Sequence, residues 1–185
     1  MFVKLEGRRA LVVGAGSVGE SKIESLLATG AAVRVVAPKA TPRVREWARD
    51  GRVEWEAREF RAADLHGMFL VIAATGSPAL HEEIYAEAKS HGVLCNAVDE
   101  PERCDFYFPA VVRRGELQIA VSTGGLSPAL AQRLRKELEQ QFGPEWEAWV
   151  AQLGRTREEL QAIPMPPEQR KRLLHQYASL DPKAQ

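Results

Sequence analysis

The segment Gly14-Ala15-Gly16-Ser17-Val18-Gly19 constrains the fold of this chain more than any other feature. It matches the pattern G-x-G-x-x-G, which by itself is a weak signal. Here it follows an apolar run, RRALVV, that predicts a short buried strand, and it opens SVGESKIESLLATGA, whose apolar residues have helical spacing. A strand, a glycine turn and a helix in this order indicate a dinucleotide-binding βαβ unit.

Each glycine of this motif has its own physical role. Gly14 allows the tight turn, Gly16 allows close approach of a pyrophosphate, and Gly19 allows close packing of helix on strand. The helix start would offer unpaired N–H groups and the positive end of the helix dipole to the phosphates. We therefore predict that all three glycines bind a cofactor. The alternative is a glycine turn in an α/β fold that binds nothing.

Predicted strands and helices alternate from the amino terminus to about residue 100. The further strands are AVRVVAP, RVEWEAR, MFLVIAAT and VLCNAV, and the helices TPRVREWARDG and SPALHEEIYAEAKSHG each open with a capping hydroxyl and a proline. Short connections between them predict an α/β fold with a Rossmann-like, doubly wound parallel sheet. The nucleotide-binding domain is predicted over 1–113.

The pattern changes after this domain. DFYFPAVVRRGELQIAVS predicts two strands joined through Arg114-Gly115-Glu116, and SPALAQRLRKELEQQF predicts a one-sided helix. The run FYFPAVV is more apolar than a lone hairpin can bury, so we expect a second copy of the chain to cover it in a homodimer. We predict a dimerisation region over 114–143 and a small helical carboxyl-terminal region over 144–185.

Composition excludes several classes of partner. The 25 basic and 25 acidic residues cancel, so bulk attraction to nucleic acid or to a membrane surface is not expected. No apolar run approaches the roughly 20 residues that span a bilayer. Charges near the amino terminus are unlike a signal peptide, which predicts a cytoplasmic protein. Cys95 and Cys104 are predicted to be buried thiols rather than a disulfide or a metal site.

Polar residues follow two neighbouring strands of the predicted sheet. Thr75 ends the buried run VIAAT, and Asn96 and Asp99 lie at or beyond the end of the next strand. Ligands bind outside the carboxyl ends of such strands, so Thr75 and Asn96 are predicted cofactor neighbours. Asp99 would accept a proton during hydride removal, and the alternative is an ordinary solvated turn. The neighbouring His81 and His91 are predicted to be surface residues.

The second strand leaves the choice of nucleotide open. An acidic residue at its end would hold the adenosine ribose of NAD, but the sequence has Ala37-Pro38-Lys39 there. Lys39 and Arg43 would suit the 2′-phosphate of NADP on electrostatic grounds.

A second helix start could also receive an anion. Ser122, Thr123, Gly124 and Gly125 precede a capping serine and a proline, and Arg113 is one of four arginines around this segment. We predict that these five residues bind a substrate with several carboxylates. The alternative is a well-capped helix without a ligand.

Two segments of the chain, and the distance between them, resemble the precorrin-2 dehydrogenase/sirohydrochlorin ferrochelatase family, which includes the amino-terminal part of siroheme synthase. The segments are VVGAGSVGESK and NAVDEPERCDFYFPAVVRRGELQIAVSTGGLSPALAQRLRKELE. The resemblance covers about residues 3–142. It implies a Rossmann domain, a dimerisation region with exchanged strands and a helical carboxyl end. The chain departs from the family at Ser21, where a basic residue is common, and at Thr123, where a serine is common.

The resemblance also implies an activity. Members oxidise the tetrapyrrole precorrin-2 to sirohydrochlorin with NAD as hydride acceptor. Ser17, Val18, Pro38 and Lys39 match positions that contact NAD, and Asp99 matches the family's acid/base aspartate. The family's use of NAD outweighs the electrostatic case for NADP. One alternative is a bifunctional enzyme that also inserts Fe²⁺ or Co²⁺, and another is a non-enzymatic dimer that senses NAD.

Overall fold

The chain folds into two compact units, Met1–Tyr107 and Phe108–Gln185. The structure, a computed structural model, describes residues 2–180 and 182. The division falls before the predicted boundary at residue 113, because residues 110–114 pair with residues 117–121 in one hairpin and therefore belong to the second unit. Residues 181 and 183–185 of the predicted carboxyl-terminal region lie outside the described residues.

The first unit contains a five-stranded parallel sheet in the order β3-β2-β1-β4-β5. Its strands are β1 Arg9–Ala15, β2 Ala32–Ala40, β3 Val53–Glu56, β4 Leu70–Ala73 and β5 Leu94–Ala97. Its helices are α1 Ser17–Leu27, α2 Pro42–Arg49 and α3 Pro78–Ser90. Parallel crossovers are right-handed, so the reversal of strand order at β1 puts α1 and α2 on one face and α3 on the other. The predicted doubly wound sheet is confirmed.

The second and third helices begin where the sequence predicts. The hydroxyl of Thr41 accepts a hydrogen bond from Val44 N–H, and the hydroxyl of Ser77 accepts one from Leu80 N–H. Each cap precedes a proline at the first helical position, where the missing N–H costs nothing. These starts determine which residues of each helix face the sheet.

The core lies between the sheet and its helices. The central strands β1 and β4 are buried along almost their whole length, as strands covered on both faces must be. Ile23 and Leu26 of α1 and Ile84 of α3 are almost completely buried, at helical spacing. The rigid sheet that results fixes the positions of the turns at its carboxyl edge.

Over its described residues, the second unit is a hairpin with three helices. Strands β6 Ala110–Arg114 and β7 Leu117–Val121 are antiparallel, and the helices are α4 Pro128–Gln141, α5 Glu145–Ala162 and α6 Pro167–Ala178. The hairpin and the one-sided helix predicted from the sequence are both confirmed. Within the described residues, no helix combines the length and the apolar character that crossing a membrane would take.

Candidate functional site

Three strand ends align at the carboxyl edge of the first unit's sheet. Val13 of β1 pairs with Ala73 of β4, and Ala73 pairs with Ala97 of β5. The glycine loop, the turn after β4 and the turn after β5 therefore leave the sheet side by side. Neighbouring strands lie about 4.8 Å apart, so the three turns fall within about 10 Å. This edge includes the point where strand order reverses, which is where such sheets bind ligands.

The glycine loop has no room for side chains at two of its three glycines. A Cβ atom on Gly14 would lie 2.3 Å from the carbonyl oxygen of Ala74, and Gly14 has a φ of 100°. A Cβ on Gly19 would lie 2.2 Å from the carbonyl oxygen of Gly14. A Cβ on Gly16 would meet no described atom within 4 Å. Gly14 and Gly19 thus serve packing, whereas Gly16 leaves open space in front of the helix.

The start of α1 fits a phosphate group. Gly16 is the N-cap residue, and among the described residues no side chain caps this helix. Ser17 and Val18, which follow, are exposed, with Val18 at 46%. Uncapped N–H groups at the positive end of a helix dipole attract an anion. The residues present therefore fit a dinucleotide pyrophosphate.

Pro38 and Lys39 lie next to this loop. The pairing of β1 with β2 shifts register between Val13 and Ala15, and Ala15 then pairs with Ala40. The intervening residues of β2 are thereby displaced from regular pairing, and Pro38 and Lys39 are exposed. Both predicted contacts are thus beside the glycine loop, where the ribose of a bound dinucleotide would lie.

Asp99 occupies a strained turn after β5. The N–H of Glu100 donates to the carbonyl of Ala97 at 3.2 Å, and Asp99 has a φ of 63°. It is the one non-glycine residue of the described chain with positive φ, a conformation that costs about 1 kcal/mol and that glycine usually supplies in such a turn. Its side chain is exposed at the carboxyl edge. Strain of this kind persists where surrounding contacts hold it.

The thiol of Cys104 contacts the backbone of this turn on the side away from solvent. Its Sγ lies 3.1 Å from the carbonyl oxygen of Ala97 and 3.3 Å from that of Glu100, within the range of S–H···O contacts. Cys104 is half-buried and Cys95 is fully buried, and both are free thiols. The prediction of buried thiols is confirmed for Cys95 and was wrong for Cys104, which is only partly buried because it lies beside the exposed turn.

Lys22 of α1 is a charged neighbour of Asp99 that the sequence prediction missed. Burial lowers the pKa of Lys22, and the negative charge of Asp99 opposes this shift. The ammonium group therefore lies within electrostatic reach of the carboxylate. Helical spacing in the sequence could have indicated this position. Lys22 lies four residues after Val18, and therefore one turn along the helix that begins at the glycine loop, on the same face as Val18.

His81 connects the turns after β4 and β5. The N–H of Thr75 donates to Nε2 of His81 at 3.2 Å, and Nδ1 lies 2.8 Å from a carboxylate oxygen of Glu100. Only 4% of His81 is exposed, so the prediction of a surface residue was wrong. Helical spacing could have shown this, since His81 precedes the buried Ile84 by three positions and Ala88 by seven. His91 is exposed, as predicted.

Glu100 holds a second partner. Arg103 donates to its other carboxylate oxygen and also to Glu82. Hydrogen bonds from His81 and then from Arg103 lower the pKa of Glu100, so this carboxylate is ionised. An anchored carboxylate thus follows directly after the exposed carboxylate of Asp99.

Asn96 has a structural position. It lies within β5 rather than beyond its end, and it is 6% exposed. Its amide nitrogen donates to the carbonyl of Phe106 at 2.7 Å and to Sγ of Cys104 at 3.4 Å. The side chain therefore holds the segment that returns along β5.

The predicted anion-binding loop, residues 122–125, lies in the second unit, and backbone N–H groups in and just after it donate to the loop's own hydroxyls. The hydroxyl of Ser122 accepts from Gly124 N–H, and the hydroxyl of Thr123 accepts from Ser127 N–H. Gly124 and Gly125 have positive φ, as a tight loop requires. Arg113 is exposed and pairs with Gln118 near the hairpin turn, whereas Val121, which precedes the loop, pairs with Ala110. Three strand residues, about 10 Å, thus separate Arg113 from the loop.

Comparison with known proteins covers both units. A family model described as NAD(P)-binding matches residues 1–110, and one described as sirohaem biosynthesis protein central matches residues 114–141. Siroheme synthase 1 of Serratia proteamaculans (strain 568) is 42% identical over 139 residues, which are 75% of this chain and 29% of that protein. Siroheme synthase of Nitrosococcus oceani is 41% identical over 139 residues, 75% of this chain and 30% of that protein. The chain thus spans less than a third of these curated relatives.

A solved structure is similar over almost the whole chain. SirC, precorrin-2 dehydrogenase, superposes with a TM-score of 0.77 at 26% identity, covering 95% of this chain and 87% of that chain. Parallel sheet, switch point and glycine loop define the class, a Rossmann-type dinucleotide-binding protein. The NAD(P)-binding model matches more than half of the residues, and the chain belongs to the precorrin-2 dehydrogenase and siroheme synthase family. The prediction of NAD as the cofactor agrees with these matches.

Proposed function

We propose that this chain is a precorrin-2 dehydrogenase, which oxidises precorrin-2 to sirohydrochlorin with NAD in siroheme biosynthesis. The observation that carries the proposal is the exposed carboxylate of Asp99 in a strained turn, at the same sheet edge as the glycine loop. Bound NAD supplies the hydride acceptor. The family match and the likeness to SirC support this reaction.

In this proposal each group at the edge has one task. The open space at Gly16 and the uncapped start of α1 bind the pyrophosphate, together with Ser17 and Val18. Pro38 and Lys39 contact the ribose, and Thr75 contacts the nicotinamide side. Asp99 accepts the proton that leaves the substrate as the hydride is transferred. Lys22 places a positive charge within electrostatic reach of the Asp99 carboxylate.

Replacement of Asp99 tests the reaction. Asp99→Asn keeps the size and the tolerance for positive φ but cannot accept a proton, so turnover should fall at least about 100-fold. The assay follows the macrocycle spectrum anaerobically with precorrin-2 and either NAD or NADP, and NAD affinity is measured by calorimetry. Glu102→Gln is the matched control, since Glu102 is an exposed carboxylate of the next turn.

The outcomes separate the alternatives. Loss of turnover with unchanged NAD affinity supports the enzyme, whereas wild-type protein that binds NAD and never oxidises precorrin-2 supports a non-enzymatic sensor. Turnover with NADP alone would favour the electrostatic case for NADP at Lys39 over the family's use of NAD. Fe²⁺ or Co²⁺ is added at the end of the same assay. The described residues contain no group of three metal-ligating side chains.

We further propose that substrate carboxylates contact Ser122, Thr123, Gly124, Gly125 and Arg113. The exposure of Arg113 and the two positive-φ glycines support this. Arg113→Gln should raise KM for precorrin-2 about tenfold, the loss of one charged hydrogen bond, with no change in NAD affinity. An unchanged KM would remove Arg113 from the substrate site.

We also propose a homodimer formed through the hairpin. Each of β6 and β7 has one strand partner among the described residues, so each leaves an edge with unpaired backbone groups. A two-stranded sheet is marginal alone, and a second copy would extend it. Sedimentation equilibrium should give twice the chain mass at micromolar concentration, and a monomer would refute the dimer.

The free thiols of both cysteines support a cytoplasmic location.

A further inference from the structure

We infer that His81 is a positioning residue that links the cofactor side of the site to the catalytic carboxylate, an assignment that rests on the proposed function. Its imidazole contacts the turn after β4 through Thr75 and the turn after β5 through Glu100, at 3.2 Å and 2.8 Å. These are the turns that carry a proposed nicotinamide contact and Asp99. One buried ring therefore joins the two.

The contacts determine the protonation state of the ring. Thr75 contributes a backbone N–H, which can only donate, so Nε2 of His81 must carry a lone pair. Nδ1 must then carry the proton, which it donates to the ionised carboxylate of Glu100. His81 is thus neutral with its proton on Nδ1. A proton on Nε2 would break the contact to Thr75.

The link to Asp99 runs through the backbone. Glu100 follows Asp99 directly, and its N–H closes the turn that holds Asp99 at positive φ. Its carboxylate is fixed on both oxygens, by His81 on one side and by Arg103 on the other. Release of one anchor would let Glu100 turn outward, and the strained conformation of Asp99 would relax. A displacement of about 1 Å at a reacting group can cost a factor of about 100 in rate.

Two variants separate the two hydrogen bonds. The amide of glutamine reaches about as far as Nε2, so His81→Gln keeps an acceptor for Thr75 and loses the donor to Glu100. We expect kcat for precorrin-2 to fall at least about tenfold, with Kd for NAD within twofold. The amide of asparagine reaches about as far as Nδ1, so His81→Asn keeps the donor and loses the acceptor. We expect Kd for NAD to rise about threefold to tenfold, the loss of one hydrogen bond, with kcat nearly unchanged.

The control is His91→Asn, which changes an exposed histidine just past the end of the same helix. It should leave kcat and Kd unchanged. A Glu100→Ala variant should lower kcat as His81→Gln does, and the double variant should be no worse than the single ones, because both remove the same link. Loss of kcat and NAD affinity together in both His81 variants, in proportion to a lowered Tm, would overturn the inference in favour of a merely structural role.

Nitrogen-15 NMR of the histidine rings tests the inference without any turnover. A proton on Nδ1 of His81 at pH 8 is the expected result, and a proton on Nε2 or a charged ring would overturn it. If wild-type protein fails to oxidise precorrin-2, the proposed function fails. The NMR result and the NAD titrations of the two His81 variants still decide whether the ring joins the two turns.

Discussion

Replacement of Gly19 by alanine should destabilise the first unit because of one backbone contact. The new Cβ would lie 2.2 Å from the carbonyl oxygen and 2.9 Å from the carbonyl carbon of Gly14. An ordinary contact needs about 1 Å more, and a backbone carbonyl cannot rotate away as a side chain can. The helix α1 would therefore have to move off β1, against the packing of Ile23 and Leu26. We expect a loss of about 3 kcal/mol, the upper end of the range for overpacking.

Gly16→Ala is the matched variant within the same motif. Its Cβ would meet no described atom within 4 Å and its φ of −75° is open to alanine. As the N-cap residue it should cost at most about 1 kcal/mol. Because we propose that the pyrophosphate approaches the backbone at Gly16, Kd for NAD should rise at least about tenfold.

Urea unfolding followed by circular dichroism, with calorimetric titration of NAD, measures both effects on the full chain. With an m-value of about 1.5 kcal/mol/M, Gly19→Ala should lower the midpoint by about 2 M, and Gly16→Ala by less than 1 M. An unchanged midpoint for Gly19→Ala would refute the packing role of the third glycine. Unchanged NAD affinity for Gly16→Ala would refute the placement of the pyrophosphate.

Two more predictions concern buried groups of the first unit. Burial tends to raise the pKa of Asp64, but hydrogen bonds from Arg58 and from the backbone outweigh it, so the pKa lies below the ordinary 3.8. The stabilisation that the ionised Asp64 contributes is present above that value and disappears as pH falls through the folded pKa. Asp64→Asn should therefore lower the free energy of unfolding in urea by about 3 kcal/mol at pH 7 and by progressively less below pH 4. A difference that does not depend on pH would contradict the ion pair. Burial raises the pKa of both thiols, that of Cys95 to about 12, but only Cys104 is partly exposed. A thiol reagent at pH 8 should therefore modify Cys104 in the native protein and Cys95 only after unfolding, and equal rates for both thiols would contradict the burial of Cys95.

The local features of the glycine loop could be predicted from the sequence because they depend on residues close together in the chain. The pattern Gly14–Gly19 between a strand and a helix is sufficient to predict a nucleotide loop, since only glycine allows the backbone contacts that the structure contains. Thr41 and Ser77, each followed by proline, determine where helices start, because each hydroxyl accepts a hydrogen bond from the backbone N–H three residues later. Asp99 could be placed at the carboxyl edge because parallel strands end there together.

The contacts that hold this edge together depended on the tertiary structure. Nothing near His81 in the sequence indicates that its ring contacts both Thr75 and Glu100, because those contacts require β4, α3 and β5 to be packed in register. The contacts of Asn96 are decided in the same way, since pairing with β4 fixes the register of β5 and hence which groups Asn96 meets. Local patterns therefore determined which turns and caps form, whereas strand register determined which distant side chains meet. The physical reason is that a cap needs only its neighbours, but a buried hydrogen bond needs both partners delivered by the whole sheet.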